Sequence, residues 1–315
     1  MHKYIFYGQK IVSNIDFGLK QSQFPLSDVT IEVEQVPFRP LELELDDDTE
    51  IKRGAYDIDS FIPEVYTSQD STIFYLNENC YYEITKSVPI KINIYTCGES
   101  RVMIETLLSE VFSIALRDYD LHAFHVGCIE ENGYRILLFG DGGQGKSTLT
   151  TSLCRNGASF LSDDISIVKK DEESGRLMTC GGLESFKLWG SSVEALDLKK
   201  GMPLAYAEEK YLYSANDMFD RKLDWKQIDF CVFLDRQEKS INPILKPSKP
   251  MESYLMFLKA QMSGFALTSK QWSVVREIAN SLNKKPCFYF EYGNDLEKID
   301  EASKYLLKTL CFGDS

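Results

Sequence analysis

Residues 140–148 read Gly-Asp-Gly-Gly-Gln-Gly-Lys-Ser-Thr, which has the spacing of a Walker A phosphate-binding loop, G-x-x-x-x-G-K-[ST]. The string stands directly after the apolar run 136–139 and directly before a segment with helical periodicity. Glycines let consecutive backbone N–H groups curl around phosphate oxygens, and the following helix adds the positive end of its dipole. The pattern predicts binding of ATP with Mg²⁺. The loop residues expected to contact the nucleotide are Gly140, Gly142, Gly143, Gln144, Gly145, Lys146, Ser147 and Thr148.

Four side chains near this loop in sequence could carry the chemistry of phosphoryl transfer. Lys146 would reach the β- and γ-phosphates, and Ser147 offers a hydroxyl ligand to Mg²⁺. Asp163 and Asp164 end the next apolar strand, which a strand-helix-strand crossover would return beside the loop. One carboxylate would contact the metal and the other would receive a proton from an attacking hydroxyl, and the sequence leaves open which does which. The alternative is that they only cap a strand or turn.

Further candidates are one histidine and three basic residues. His125 lies on a strand-like run, 125–129, that precedes the loop strand, so it could point toward the phosphates or be a packed core residue. Lys187, Lys210 and Arg236 could neutralise charge on the γ-phosphate, as an arginine finger does, or could be solvated surface cations.

The residues around the loop also resemble a known family. The run beginning at His125, the loop itself, and the segment 157–164 (Gly-Ala-Ser-Phe-Leu-Ser-Asp-Asp) look like the catalytic domain of HPr kinase/phosphorylase. The intervals of that family are kept, with fifteen residues from His125 to Gly140 and seventeen from Lys146 to Asp163. The opening residues 4–15 and the segment 186–189 resemble its branch of lasso-peptide precursor kinases.

The resemblance implies a P-loop fold of the phosphoenolpyruvate-carboxykinase type and an ATP-dependent phosphotransferase that acts on a Ser hydroxyl of a protein or peptide. It also implies that the aspartate pair supplies the base and a metal contact and that His125 assists near the phosphates. The chain lacks the Gly-Glu-Ile-Asn-Ile-Arg type of signature that accompanies phosphorylase activity in the parent enzymes, so the resemblance gives no expectation of the reverse reaction.

The elements that would position these residues fall into two parts. Residues 1–95 contain short alternating apolar runs typical of a small, mainly antiparallel β unit, which could recognise the acceptor. The acidic stretch 42–50 within them is expected to be a solvated loop. Residues 96–315 would form the α/β kinase domain, entered through a helix over 101–117. Its other expected elements are a hairpin of 125–129 with 134–139, a helix at 146–155, a strand through 160–161 that ends in 163–164, strands at 229–234 and 287–292, helices at 251–262 and 269–283, and a C-terminal helix opening at 294–295.

Composition limits the classes of function. The net charge of −13 opposes binding to a nucleic-acid backbone, and no apolar run approaches the ~18 residues that a membrane span needs. Eight scattered cysteines without a C-x-x-C pair predict reduced, mostly buried thiols and a cytoplasmic location.

Three functions stay open at this point. They are a kinase for a protein or peptide Ser/Thr hydroxyl, a small-metabolite kinase of the same fold, and a nucleotide-dependent binding or regulatory protein. Homo-oligomerisation is also left open.

Overall fold

The computed structural model describes residues 1–43, 49–54, 62–98, 101–204, 207–239 and 241–312. Most of the acidic stretch 42–50 therefore lies outside the described residues. The chain divides into two compact units, Met1–His122 with Met262–Trp272, and Ala123–Gln261 with Ser273–Ser315. The domain boundary expected after residue 95 stays a prediction. Within the described part of the chain, no helix is long and apolar enough to cross a membrane.

An eight-stranded sheet dominates the first unit, in the order β1-β2-β3-β8-β7-β6-β5-β4. Five of its seven strand pairs are antiparallel, in line with the mainly antiparallel unit expected from the sequence, while β3 runs parallel to both β2 and β8. The strands are β1 (His2–Phe6), β2 (Gln9–Ser13), β3 (Ile31–Val36), β4 (Glu50–Arg53), β5 (Glu64–Thr67), β6 (Ser71–Asn77), β7 (Cys80–Thr85) and β8 (Ile90–Thr96).

The helix expected over 101–117 is divided in the structure. It consists of α1 (Arg101–Thr106), a π-helical turn, α2 (Phe112–Ala115) and a 3-10 turn. The hydroxyl of Ser109 donates to the Glu105 carbonyl at 2.7 Å, and that of Ser113 donates to the Glu110 carbonyl at 2.7 Å. Such side-chain bonds compete with the regular backbone ladder and disturb a helix. Short helical turns of this unit span Leu26–Asp28, Leu107–Val111, Leu116–Tyr119 and Gly264–Ala266.

The second unit is a mixed α/β structure with three sheets. A six-stranded sheet has the order β12-β10-β11-β19-β21-β20, a four-stranded sheet β18-β14-β13-β9, and a three-stranded sheet β15-β17-β16. The strands are β9 (His122–Phe124), β10 (Gly127–Glu131), β11 (Tyr134–Phe139), β12 (Ser159–Ser162), β13 (Ser166–Lys170), β14 (Leu177–Thr179), β15 (Ser185–Trp189), β16 (Met202–Pro203), β17 (Lys210–Ser214), β18 (Lys226–Gln227), β19 (Phe230–Gln237), β20 (Ile244–Pro247) and β21 (Cys287–Gly293).

Of the five remaining helices that the structure describes, all but the one at Gly190–Ala195 lie close to positions expected from the sequence. The five are α3 (Lys146–Arg155), α4 (Gly190–Ala195), α5 (Pro250–Lys259), α6 (Ser269–Leu282) and α7 (Ile299–Leu307), with shorter turns at Ala215–Asp217, Leu296–Lys298 and Lys308–Phe312. As the sequence indicates, Asp295 caps the turn before α7 by accepting a hydrogen bond from the Glu297 backbone N–H.

The strand that enters the loop is buried on both faces. Ile136 and Leu138 of β11 pack in a core that also contains Leu149 of α3 and Leu306 of α7. Leu137 and Phe139 point into a second core, whose members include Phe257 of α5 and Ile278 of α6. A parallel strand covered on both sides is fixed in position, so the start of the loop is held firmly.

The strand-helix-strand crossover expected from the sequence is present, and it connects β11 to β12, which are separated in the sheet by one strand. β10 pairs antiparallel with β11 and also with β12, so β11 and β12 run parallel on either side of it. The chain passes from β11 through the loop and α3 to β12, and the carboxyl ends of both strands therefore meet at one edge of the sheet. Asp163 and Asp164 follow β12 directly at this edge.

Candidate active site

The loop between β11 and α3 is held from behind by two strands of the same sheet. The Tyr292 hydroxyl, at the end of β21, donates to the Gln144 carbonyl oxygen at 2.5 Å. The Gln144 side-chain oxygen accepts the Arg236 backbone N–H, near the end of β19, at 2.8 Å. Gly145 has φ +82° and initiates α3, and a Cβ on it would lie 2.7 Å from the Tyr292 hydroxyl oxygen. The packing therefore requires glycine at this position.

The front of the loop is open. A Cβ added at Gly142 or Gly143 would meet no described atom within 4 Å. The N-terminus of α3, which has ten residues, faces the same region because the loop leads directly into it. Open space bounded by backbone N–H groups and a helix N-terminus is the form of a phosphate cradle, so the residues present fit a nucleotide phosphate.

The Lys146 side chain is buried and bonded to the loop itself. Its ammonium group donates to the Gly140 carbonyl oxygen at 2.7 Å. Burial lowers the pKa of Lys146, and the carboxylates of Asp164 and Asp163 partly oppose that change. The lysine thus lies between the loop and the aspartate pair.

The Asp163 carboxyl is almost wholly buried, with 2% of the residue exposed. Burial raises its pKa well above the ordinary range, and the charge of Asp164 adds to the rise. The Ser147 hydroxyl and the Lys187 backbone N–H face the carboxyl and lower its pKa by less, yet neither carboxyl oxygen accepts a hydrogen bond of normal geometry from a described residue. A buried carboxylate beside a hydroxyl, whose oxygens accept no hydrogen bond of normal geometry, is chemically suited to a cation.

Asp164 and His125 lie on the more open side of the site. Asp164 is partly exposed, and its charge acts on His125, Lys146 and Asp163. His125 does not lie within a strand, as the run 125–129 suggested, because β10 begins only at Gly127.

The bend at His125 is fixed by its backbone N–H, which donates to the Ala260 carbonyl oxygen at 2.6 Å. Part of the ring is open to solvent. The protein packed around the rest lowers the pKa of His125, the charge of Lys146 adds to this effect, and Asp164 opposes it.

The three candidate charge helpers all border this region. Lys187 lies on β15 with its backbone N–H toward Asp163. Lys210 lies on β17, and its charge reaches His125. The Arg236 guanidinium donates to the Asn294 carbonyl oxygen at 3.0 Å, and its Cδ lies 4.0 Å from the position of a Cβ at Gly145.

Thr148 is directed away from the loop opening. Its hydroxyl lies 2.8 Å from the hydroxyl of Ser192 at the start of α4, and both residues are buried. Any contact of Thr148 with a nucleotide would therefore involve its backbone, while its side chain joins α3 to α4.

Two contacts of the loop were not foreseen from the sequence. One is the bond from Tyr292, for which the only signal was the position of this residue at the end of an expected strand. The other is an ion pair of 2.7 Å between Lys259, the last residue of α5, and Asp141 in the loop. No local pattern connects residues so far apart in the chain.

The described residues contain no cluster of three or more His, Cys, Asp or Glu side chains that could hold a metal ion by themselves. Two adjacent carboxylates and a serine hydroxyl are a smaller set of ligands. Mg²⁺ is commonly held in this way, by one or two carboxylates together with substrate phosphates and water.

Similarity to known proteins is found among solved structures. No protein-family model matches the sequence, and a search among curated proteins finds no match. Among solved structures, the Hpr(Ser) kinase/phosphatase from Coxiella burnetii is similar over 59% of this chain and 97% of that chain, at 12% identity and a TM-score of 0.30.

Proposed function

We propose that this chain is an ATP- and Mg²⁺-dependent kinase that phosphorylates a Ser or Thr hydroxyl of a protein or peptide, such as a ribosomally made precursor peptide. The observation that carries the proposal is the buried carboxyl of Asp163, which accepts no hydrogen bond of normal geometry from a described residue and lies beside Ser147 and Lys146 at the N-terminus of α3. Walker A spacing supports the proposal, because it predicts a phosphate cradle at the same point.

Different groups of the loop and its neighbours would bind the nucleotide phosphates and the metal ion. The backbone N–H groups of residues 142–147 and the N-terminus of α3 would hold the phosphates. The Lys146 ammonium would leave the Gly140 carbonyl oxygen and bind phosphate oxygens. A hydrogen bond from a buried ammonium to a charged acceptor is stronger than one to a neutral acceptor. Ser147 and Asp163 would hold the metal.

Asp164 would act as the base. When bound, Mg²⁺ and ATP supply the transferable γ-phosphoryl group, whose bond to the β-phosphate oxygen breaks as a bond to the acceptor oxygen forms. Asp164 takes the proton of the acceptor hydroxyl, a role for which it is better exposed than Asp163. His125, Lys210 and Arg236 border the site and would orient the acceptor or offset developing negative charge.

Intact mass spectrometry of Ser-containing peptides incubated with the protein, Mg²⁺ and ATP tests this proposal. We expect a gain of one phosphate with the wild type and none with Asp164→Asn, whereas the Kd for ATP stays within about threefold, because the base does not hold the nucleotide. Lys146→Ala should weaken ATP binding itself by at least about tenfold, as expected for loss of a charge-assisted contact.

The outcomes separate the alternatives. Equal loss of transfer and of ATP binding in Asp164→Asn would contradict its assignment as the base. Unchanged ATP affinity in Lys146→Ala would contradict the loop assignment. ATP binding by the wild type without transfer to any peptide would favour a metabolite kinase or a nucleotide-dependent regulatory protein.

A further inference from the structure

The three-stranded sheet of the second unit has two different faces. Phe186 and Leu188 of β15, with Tyr211 and Tyr213 of β17, turn to the core. Side chains alternate along a strand, and residues paired across two strands share a face. The opposite face is therefore defined by three pairs in the register, which are Lys187 with Leu212, Trp189 with Lys210, and Met202 with Leu212. We call this the outer face. It comprises Lys187, Trp189, Met202, Lys210 and Leu212.

Large apolar groups are exposed on the outer face. Trp189 is 52% exposed and Met202 is 59% exposed, at the two edges of the sheet, while Leu212 is half-buried between them. The ammonium group of Lys210 lies over the Trp189 ring, 5.0 Å from its centroid, which holds the ring and the cation in one arrangement. Exposed aromatic and apolar side chains grouped in this way are typical of binding surfaces.

The charge of the outer face is opposite to that of the chain. The chain has a net charge of −13, yet the strand positions that form this face hold two lysines and no acidic residue in the described part of β15, β16 and β17. A segment that carries a carboxylate next to an apolar side chain would complement both properties.

The outer face continues into the candidate active site. The Lys187 backbone N–H faces the Asp163 carboxyl, and the charge of Lys210 reaches His125. A chain bound along this face would therefore bring neighbouring residues to the side where Asp164 is partly exposed.

We infer that the outer face is the acceptor-binding surface and that it selects a peptide segment in which an acidic and an apolar residue flank the phosphorylated Ser or Thr. Lys210 pairs with the acidic residue, and Trp189 with Met202 covers the apolar one. This inference rests on the proposed kinase function and adds the class of acceptor to it.

Charge reversal on both partners tests the inference. Two synthetic peptides that differ in one residue are compared. In the acidic peptide a single Ser is flanked by Glu and Leu, and in the basic peptide it is flanked by Lys and Leu. For each, transfer is measured as kcat/KM, and binding is measured separately by fluorescence anisotropy of a labelled peptide. Lys169→Glu is the matched control, because Lys169 lies 4.3 Å from the Trp225 ring centroid in the same kind of pair but outside the outer face.

We expect the wild type and Lys169→Glu to prefer the acidic peptide by about tenfold or more, the size of one charge-assisted contact. Lys210→Glu should reverse this preference, in both kcat/KM and binding. A general catalytic role of Lys210 would lower transfer to both peptides equally, so the ratio distinguishes the two roles.

The same data separate the inference from the function on which it rests. Transfer to both peptides with a ratio that Lys210→Glu leaves unchanged would overturn the outer-face assignment and leave the kinase proposal standing. Binding that follows the predicted charge preference, without transfer to either peptide, would overturn the kinase proposal and support the surface. Absence of both binding and transfer would overturn the inference.

Discussion

Ionisation of Asp163 couples the site to the stability of the protein. Its pKa in the folded chain is raised by burial and by Asp164, whereas an unfolded aspartate has a pKa of about 3.9. A carboxyl whose pKa is higher in the folded chain than in the unfolded chain stabilises the fold while it is protonated, relative to its ionised form. That contribution is fully present below about pH 3.9 and is lost as the pH rises through the folded pKa.

Asp163→Asn should therefore stabilise the ligand-free protein at neutral and alkaline pH. We expect a gain in unfolding free energy of about 1 to 3 kcal/mol at pH 8, because each unit of pKa shift corresponds to about 1.4 kcal/mol, and the gain should shrink as the pH falls toward about 4. Thermal melts from pH 4 to 8 measure it, with Asp217→Asn at an exposed position as the control. A difference between Asp163→Asn and wild type that does not change with pH would contradict the raised pKa.

At the scale of elements, the loop depends on strands that are distant in sequence. β11 delivers the loop, but β19 and β21 hold Gln144 through the Arg236 N–H and the Tyr292 hydroxyl. The three strands are parallel neighbours, so their carboxyl ends converge on the loop. The shape of the loop is thus a property of the sheet rather than of the glycines alone.

Gly145→Ala should destabilise the ligand-free protein by about 1 to 3 kcal/mol, since a Cβ is strained at positive φ and would also meet the Tyr292 hydroxyl. Gly142→Ala is the matched control in the same loop, because its Cβ would meet no described atom within 4 Å and its φ is outside the left-handed region. Chemical denaturation at equilibrium gives both values. Equal destabilisation by the two substitutions would mean that Tyr292 does not constrain the loop.

For the whole molecule, the thiols provide a test of packing. All eight cysteines are free in the structure, and five of them are buried, whereas Cys97 is exposed. Burial raises the pKa of the Cys128 thiol to about 12, which leaves very little reactive thiolate at neutral pH.

Titration of native protein with Ellman's reagent should therefore modify Cys97 rapidly and the buried thiols only upon unfolding, which should release eight thiols per chain in total. Cys97→Ser should remove the fast phase. Fewer than eight thiols in denaturant without reductant would show that a disulfide forms, and a fast phase that survives in Cys97→Ser would show that another cysteine is accessible.

The sequence alone determined the parts of this protein that depend on local order. Walker A spacing located the loop, and the apolar run and helical periodicity located β11 and α3. The turn pair Asn132-Gly133, between two strand-like runs, located the hairpin of β10 and β11. Each is encoded by residues within a few positions of one another, so pattern and propensity suffice to predict it.

Only the tertiary structure decided which distant residues share the site. It placed β10 between β11 and β12, brought Tyr292 and Lys259 to the loop, and left the Asp163 carboxyl without a hydrogen bond of normal geometry from the described residues. It also set the register that gathers Trp189 and Lys210 on one face. Strand order, register and burial arise from packing of the whole unit, since each depends on residues that lie far apart in the chain.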